Sequence, residues 1–155
     1  MYNKQEYLNK GREIELKLLG KLKNCVESND DEDINQHIDL KQTISVDVKG
    51  LKKINRDDEN TDEHFHWIEF KNVLGNNGWL YGDADFIAFE TNDYFFIVER
   101  IKLKQFVETK CKMKEWSVEP MLYKLYRRKD RPSEILTIIK TIDIAALSEK
   151  IIIKD

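Results

Sequence analysis

The chain has 155 residues, 41% of them hydrophobic and 35% charged, with a net charge of −3, which suits one globular domain around one hydrophobic core. No apolar run approaches the roughly 20 residues of a membrane span, and the polar start MYNKQEYLNKG lacks the apolar centre of a secretion signal. Cys25 and Cys111 have neither metal-site nor redox spacing, so reduced thiols in a cytoplasmic protein are expected.

Tyr2 to about Val26 reads as a helix, because Leu8, Ile14, Leu18, Leu22 and Val26 recur at helical spacing. Ser28 to Asp33 is an acidic turn. Ile34 to Lys41 and Ile44 to Leu51 alternate apolar and polar residues and are expected to be strands. A charged loop, Asn55 to Glu63, leads to a third strand, Phe65 to Val73, and then to a turn at Gly75-Asn76-Asn77-Gly78. Two further strands, Asp85 to Phe89 and Tyr94 to Val98, flank Thr91-Asn92-Asp93. A helix is expected from Ile101 to about Lys114, short strands at Leu122 to Tyr126 and Ile135 to Ile139, and a closing helix from Ile144 to Ile152. The order implies a single α/β or α+β domain, 1–155, built on one central sheet. Its core covers about 2–115 and its C-terminal extension about 116–155.

Charge is spread unevenly. Glu27 to His64 holds 12 acidic and 5 basic residues, whereas Arg100 to Arg131 holds 11 basic and 4 acidic. A basic segment on an acidic protein is a common device for holding phosphate locally, although two solvated faces would give the same count.

Successive side chains on a helix are about 100° apart. On that wheel Leu18, Leu22, Gly11, Leu8 and Val26 share a face, with Ile14 at its edge. Glu15 falls in the middle of this face and Glu13 points away. A carboxylate among leucines is costly unless compensated. Along the two strands, Val46 and Val48 point to the core and Ser45, Asp47 and Lys49 away from it. Ile38 and Leu40 point in and Asp39 out. A turn near Gln42-Thr43-Ile44 then sets Asp39 beside Asp47. Adjacent carboxylates repel across strands, and a divalent cation removes that repulsion. Oxygen-only ligands suit a hard ion such as Mg²⁺, or Mn²⁺ in its place. Lys49, further along the same face, can reach a phosphate oxygen or an attacking water.

This combination resembles the PD-(D/E)XK, or restriction-endonuclease-like, nuclease superfamily. Lys10-Gly11-Arg12-Glu13-Ile14-Glu15 is similar to the Lys-Gly-x-x-x-Glu opening of archaeal-type Holliday junction resolvases. The stretches HIDL, SVDVKGLKK, WIEFKNV and GWLYGDADFIAFE look like small phage-encoded proteins of the resolvase type. The resemblance implies a central mixed sheet with an antiparallel meander flanked by helices. It assigns Asp39 and Asp47 as the two acids, Lys49 as the lysine, and Glu15 as a metal-site residue, with the Val48 backbone carbonyl as an extra ligand. It further implies Mg²⁺-dependent hydrolysis of DNA phosphodiesters, branched DNA as substrate, a homodimer, and the host cytoplasm if phage-encoded. Three departures stand: Ile38 replaces the proline of the motif, Asp47 replaces the commoner Glu, and the gap between the acids is short. A rival frame pairs Asp47 with Glu69-Phe70-Lys71. The first frame is preferred because it accounts for Glu15, Asp39 and Asp47 together. Other DNases of the superfamily (restriction, repair or recombination type), or a non-catalytic nucleic-acid-binding relative, remain alternatives.

Lys124, Arg127, Arg128, Lys129 and Arg131 form a basic turn expected to hold DNA phosphates. Trp79 is carried as a candidate DNA contact and Trp67 as aromatic core. His37, His64 and His66 lack ligand spacing, and the last two read as a surface pair.

Overall fold

The computed structural model describes residues 4–21, 26–41, 44–55, 57–111 and 113–154, with side chains undescribed at 4–8 and 41. Helix α1 (Lys4–Leu19) is followed by β1 (Val26–Glu27), α2 (Asp30–Gln36), β2 (Leu40–Lys41), β3 (Ser45–Lys49) and β4 (Phe65–Lys71). A 3₁₀ turn (Trp79–Tyr81) leads to β5 (Phe86–Glu90), β6 (Tyr94–Glu99) and α3 (Arg100–Cys111). The chain then forms β7 (Trp116–Ser117), β8 (Leu125–Arg128), β9 (Arg131–Lys140), α4 (Thr141–Leu147) and β10 (Lys150–Ile153). Leu22, Cys25 and the Gln42-Thr43 turn lie outside the described residues, as does the Leu8 side chain.

The protein is a mixed α/β structure, but its strands divide into two sheets where one was expected. The first has the order β1-β2-β3-β5-β6-β10 and the second β4-β9-β8-β7. The cause is local. β3 is flanked by β2, antiparallel, and by β5, parallel, so both its edges are taken. The parallel pairing demands a long crossover, and the chain between Gly50 and Asp85 supplies it. Phe65–Lys71 lies inside that crossover and pairs instead with β9. The expected meander therefore stops after β2 and β3, and resumes as β5, β6 and β10.

Two apolar clusters sandwich the first sheet. Ile14 and Leu18 of α1 pack on Leu40, Val46, Val48, Ala88, Phe95, Ile97 and Ile152. On the other face Ile87, Phe89 and Val98 meet Leu103 and Val107 of α3, Trp79 and Leu80, and Ile68, Phe70 and Ile139 of the second sheet. The alternation of β4 explains this contact: His66, Ile68 and Phe70 are buried, while Trp67 and Glu69 face the other way and are half-buried.

Other boundaries shift for identifiable reasons. The acidic turn at 28–33 is the start of α2, closed by a capping box between Asn29 and Glu32. Its carboxylates Asp30 to Asp33 complement the positive end of the helix. His37 in the left-handed conformation (φ 55°) ends the helix and leaves β2 only two residues. The closing segment splits into α4 and β10, because Ser148-Glu149 breaks the helix and Ile152 returns to the first sheet. Val26, expected to end the first helix, stands in β1 and is exposed.

Candidate functional site

β2 begins late, at Leu40, and this builds the site. At Asp39 the backbone already follows the ladder, its N–H donating to the Val46 carbonyl at 3.1 Å. Two residues further along β3, the Val48 N–H donates to the Asp39 carboxylate, which takes the place of a missing strand acceptor. The N–H and C=O of a strand residue project to the same side, so the Val48 carbonyl also looks toward this open edge. Asp47, between Val46 and Val48, points to the opposite face from α1. That face was expected to be non-core, yet Asp47 is only 1% exposed. The second sheet and the 3₁₀ turn cover it.

Lys49 Nζ sits 2.6 Å from Asp47 Oδ1 and 5.0 Å from the centre of the Trp79 ring. Asp47 Oδ2 is buried without a hydrogen-bond partner in the structure. Burial raises the Asp47 pKa, with Lys49 pulling it back. For Lys49, burial opposes the charge, and the Asp47 and Asp39 carboxylates overturn that, so its pKa is raised. Asp39 is pushed up to about 7, first by burial and then by the Asp47 charge.

α1 lies across the Val46–Val48 face, and Glu15 reaches the edge where Asp39 stands. Burial, then Asp39 and Asp33, push the Glu15 pKa up to about 7. Glu13 is exposed and pairs with Lys17 at 3.0 Å. α1 approaches closely because residue 50 is glycine: a Cβ there would fall 2.5 Å from Ile14 Cδ1. Asp39, Asp47 and Lys49 are thus brought together, with Glu15 next to Asp39.

Asp33 joins them and was missed. It lies on α2, its carboxyl in hydrogen-bond reach of Asp39, and burial followed by Asp39 raises its pKa. The capping box Asn29-x-x-Glu32 was the available signal that this segment is a helix folding back over the site. The carboxyls meet in pairs, Asp33 with Asp39 and Asp39 with Asp47. Among the described residues, no group of three or more His, Cys, Asp and Glu side chains forms a ready metal cage. The donor chemistry, all oxygen, is the kind a hard cation takes, and Asp47 Oδ2 is a buried carboxylate oxygen with no hydrogen-bond partner.

The other candidates are dispersed. Glu69 lies on β4, in the second sheet, where Glu69 Oε1 accepts from the Trp79 N–H at 3.4 Å. It is close enough for its charge to act on Lys49, while Lys71 is exposed. Trp79 is 6% exposed and belongs to the core. The expectation of a DNA-facing Trp79 is corrected, because Gly78 packs on the Glu69 backbone and drives the ring inward. Trp67, read as core, is half-buried on the outer face of the second sheet. The basic turn joins β8 to β9, and its cations diverge. Lys124 pairs with Glu115 at 3.7 Å, Arg127 stacks on Trp116 at 4.5 Å, and Arg128 faces Trp67 and Glu134. Lys129 is exposed and Arg131 half-buried. His66 is 3% exposed, so it forms no surface pair with His64.

No protein-family model, no curated protein and no solved structure matches this chain. Among the described residues, no helix is long and apolar enough to cross a membrane.

Proposed function

We propose that the protein is a Mg²⁺-dependent endodeoxyribonuclease of the restriction-endonuclease-like class, selective for branched DNA and acting as a homodimer in the cytoplasm. One observation carries this reading: Asp47 Oδ2 is buried, lacks a partner and lies beside Asp39, Asp33 and Lys49. Asp33, Asp39 and Asp47 share the single cation Lys49, with Glu15 next to Asp39, and a divalent cation would compensate the remaining charge. The pairing of β2 with β3 supports the first motif frame, because it brings Asp39, just before β2, next to Asp47 of β3. Glu69-Phe70-Lys71 stands in the other sheet.

Glu15, Asp33, Asp39, Asp47 and the Val48 carbonyl would hold the cation. When bound, Mg²⁺ or Mn²⁺ supplies Lewis-acid polarisation of the phosphoryl group and a more acidic water. Lys49 then offers its ammonium to the charge that builds on the phosphate oxygens during attack. Asp47 and Trp79 hold that ammonium in place from two sides. A two-fold dimer suits the paired nicks that resolving a junction requires.

The test is an Mn²⁺-dependent cleavage assay on a four-way junction beside linear duplex of the same sequence, with Asp47→Asn as control. Cutting of the junction by the wild type alone is expected. Equal cutting of the linear duplex would point to another DNase of the class. No cutting of either substrate would overturn the reading.

A further inference from the structure

We propose that the outer face of the second sheet, beside Lys52 and Arg128, is a track for an unpaired nucleic-acid strand. Its phosphates would lie on the cations and its bases against Trp67, Tyr126 and the Arg128 guanidinium. This rests on the nuclease reading, since Lys52 follows the lysine of the cutting site by three residues. After β3 the chain crosses this face, and Trp67 Nε1 pins it there by donating to the Lys53 carbonyl at 3.1 Å. The Trp67 and Tyr126 rings lie 6.0 Å apart, and the Arg128 guanidinium stands 5.4 Å from the Trp67 ring.

Two acids share the face, and both are engaged. Glu134 is paired with Arg128 at 3.5 Å, and Glu69 accepts from the Trp79 N–H. The Lys52 side chain is solvent-exposed and has no hydrogen bond or ion pair among the described residues. Desolvation, then the charges of Lys49 and Arg128, lower its pKa. An exposed ammonium with no acid paired to it, beside the Arg128 guanidinium, is where a phosphate of a polyanion can be held. Rings and a guanidinium plane beside them suit bases whose faces are free, as in a single strand and not in a stacked duplex. Arg127 and Lys124 are held elsewhere, by Trp116 and Glu115.

The experiment measures fluorescence anisotropy of a labelled thymidine oligonucleotide and of a blunt duplex of equal length, titrated with salt in EDTA. The variants are Lys52→Gln and the double change Arg128→Gln with Glu134→Gln, which avoids stranding the buried Glu134. Lys17→Gln serves as an unaffected surface control. Tighter binding of the single strand is expected, with each track variant lowering the salt slope by about 0.7 per lost phosphate contact. Unchanged slopes, or equal affinity for the duplex, overturn the track. If the wild type also cuts DNA with Mn²⁺, unchanged slopes leave the nuclease reading standing. Slopes that fall as expected without any cutting support the track and overturn the nuclease.

Discussion

At Asp47 and Lys49, chemistry and stability are bound together. Because the pair is enclosed by the second sheet, Lys49→Ala strands a buried carboxylate and should cost about 3 kcal/mol. Asp47→Asn removes the charge instead and should change stability far less. Both should lower cleavage by about a hundredfold or more, the scale of losing one aligned electrostatic group. Denaturation in EDTA beside single-turnover cleavage separates the two effects. Asp47→Val with Lys49→Met should recover stability without recovering cutting. An active Asp47→Asn enzyme would remove the site from consideration. Glu15→Gln should be severely impaired and Glu13→Gln close to wild type, since only Glu15 shares the charge cluster.

At the scale of elements, α2 and the Gly78 bend decide how the site is closed. Asn29→Ala removes the capping box and should cost about 1 kcal/mol. It should also loosen Asp33 from Asp39, so the apparent Mn²⁺ affinity should fall together with the melting temperature. Unaltered Mn²⁺ affinity in a folded Asn29→Ala protein would show that α2 takes no part in holding the cation. A Cβ on Gly78 would run into the Glu69 backbone. Gly78→Ala should therefore cost roughly 1–3 kcal/mol by overpacking and displace Trp79 from Lys49. The displacement is read as a change in tryptophan emission. These elements were only partly legible. Alternation sets Asp47 and Lys49 on the face of β3 opposite Val46 and Val48, but it misses that this face is covered and that Ile38 and Leu40 enter different clusters. α2 was hidden because its residues, Asp30 to Gln36, include no buried apolar side chain to set a helical rhythm.

Across the whole molecule, two pH dependences oppose each other. His66 is buried on Phe89, and burial lowers its pKa to about 4. The unfolded chain takes up that proton below about 6.5 and the folded chain only near 4. Stability should therefore fall as pH drops through this window, by about 3 kcal/mol in all. Glu15 and Asp39 act in reverse. Their folded pKa values, about 7, exceed the unfolded ones, so the stability they contribute is full in acid and is lost as pH rises toward 7. In EDTA, His66→Leu should flatten the acid limb and Glu15→Gln the neutral one in melting curves from pH 4 to 8. Divalent cation should raise the melting temperature more at pH 8 than at pH 5, because protons compete for the same oxygens. A cation effect independent of pH would mean that it binds away from these carboxylates.

Periodicity alone determined the body of the first helix, β3, the β5–β6 pair and α3, whereas the strand expected at Ile34 to Lys41 is α2 followed by a two-residue β2. Each of those determined is local, and its burial pattern repeats within one element. It also placed Glu15 rather than Glu13 toward the sheet, since that choice depends only on the helical angle. The division into two sheets was decided by tertiary structure, because β3 offers two edges and the partners that fill them, β2 and β5, leave β4 to pair with β9 some 60 residues away. The same division reversed the roles of Trp67 and Trp79. Which face of a strand is core depends on what covers it, and alternation reports two faces without saying which one a second layer will bury.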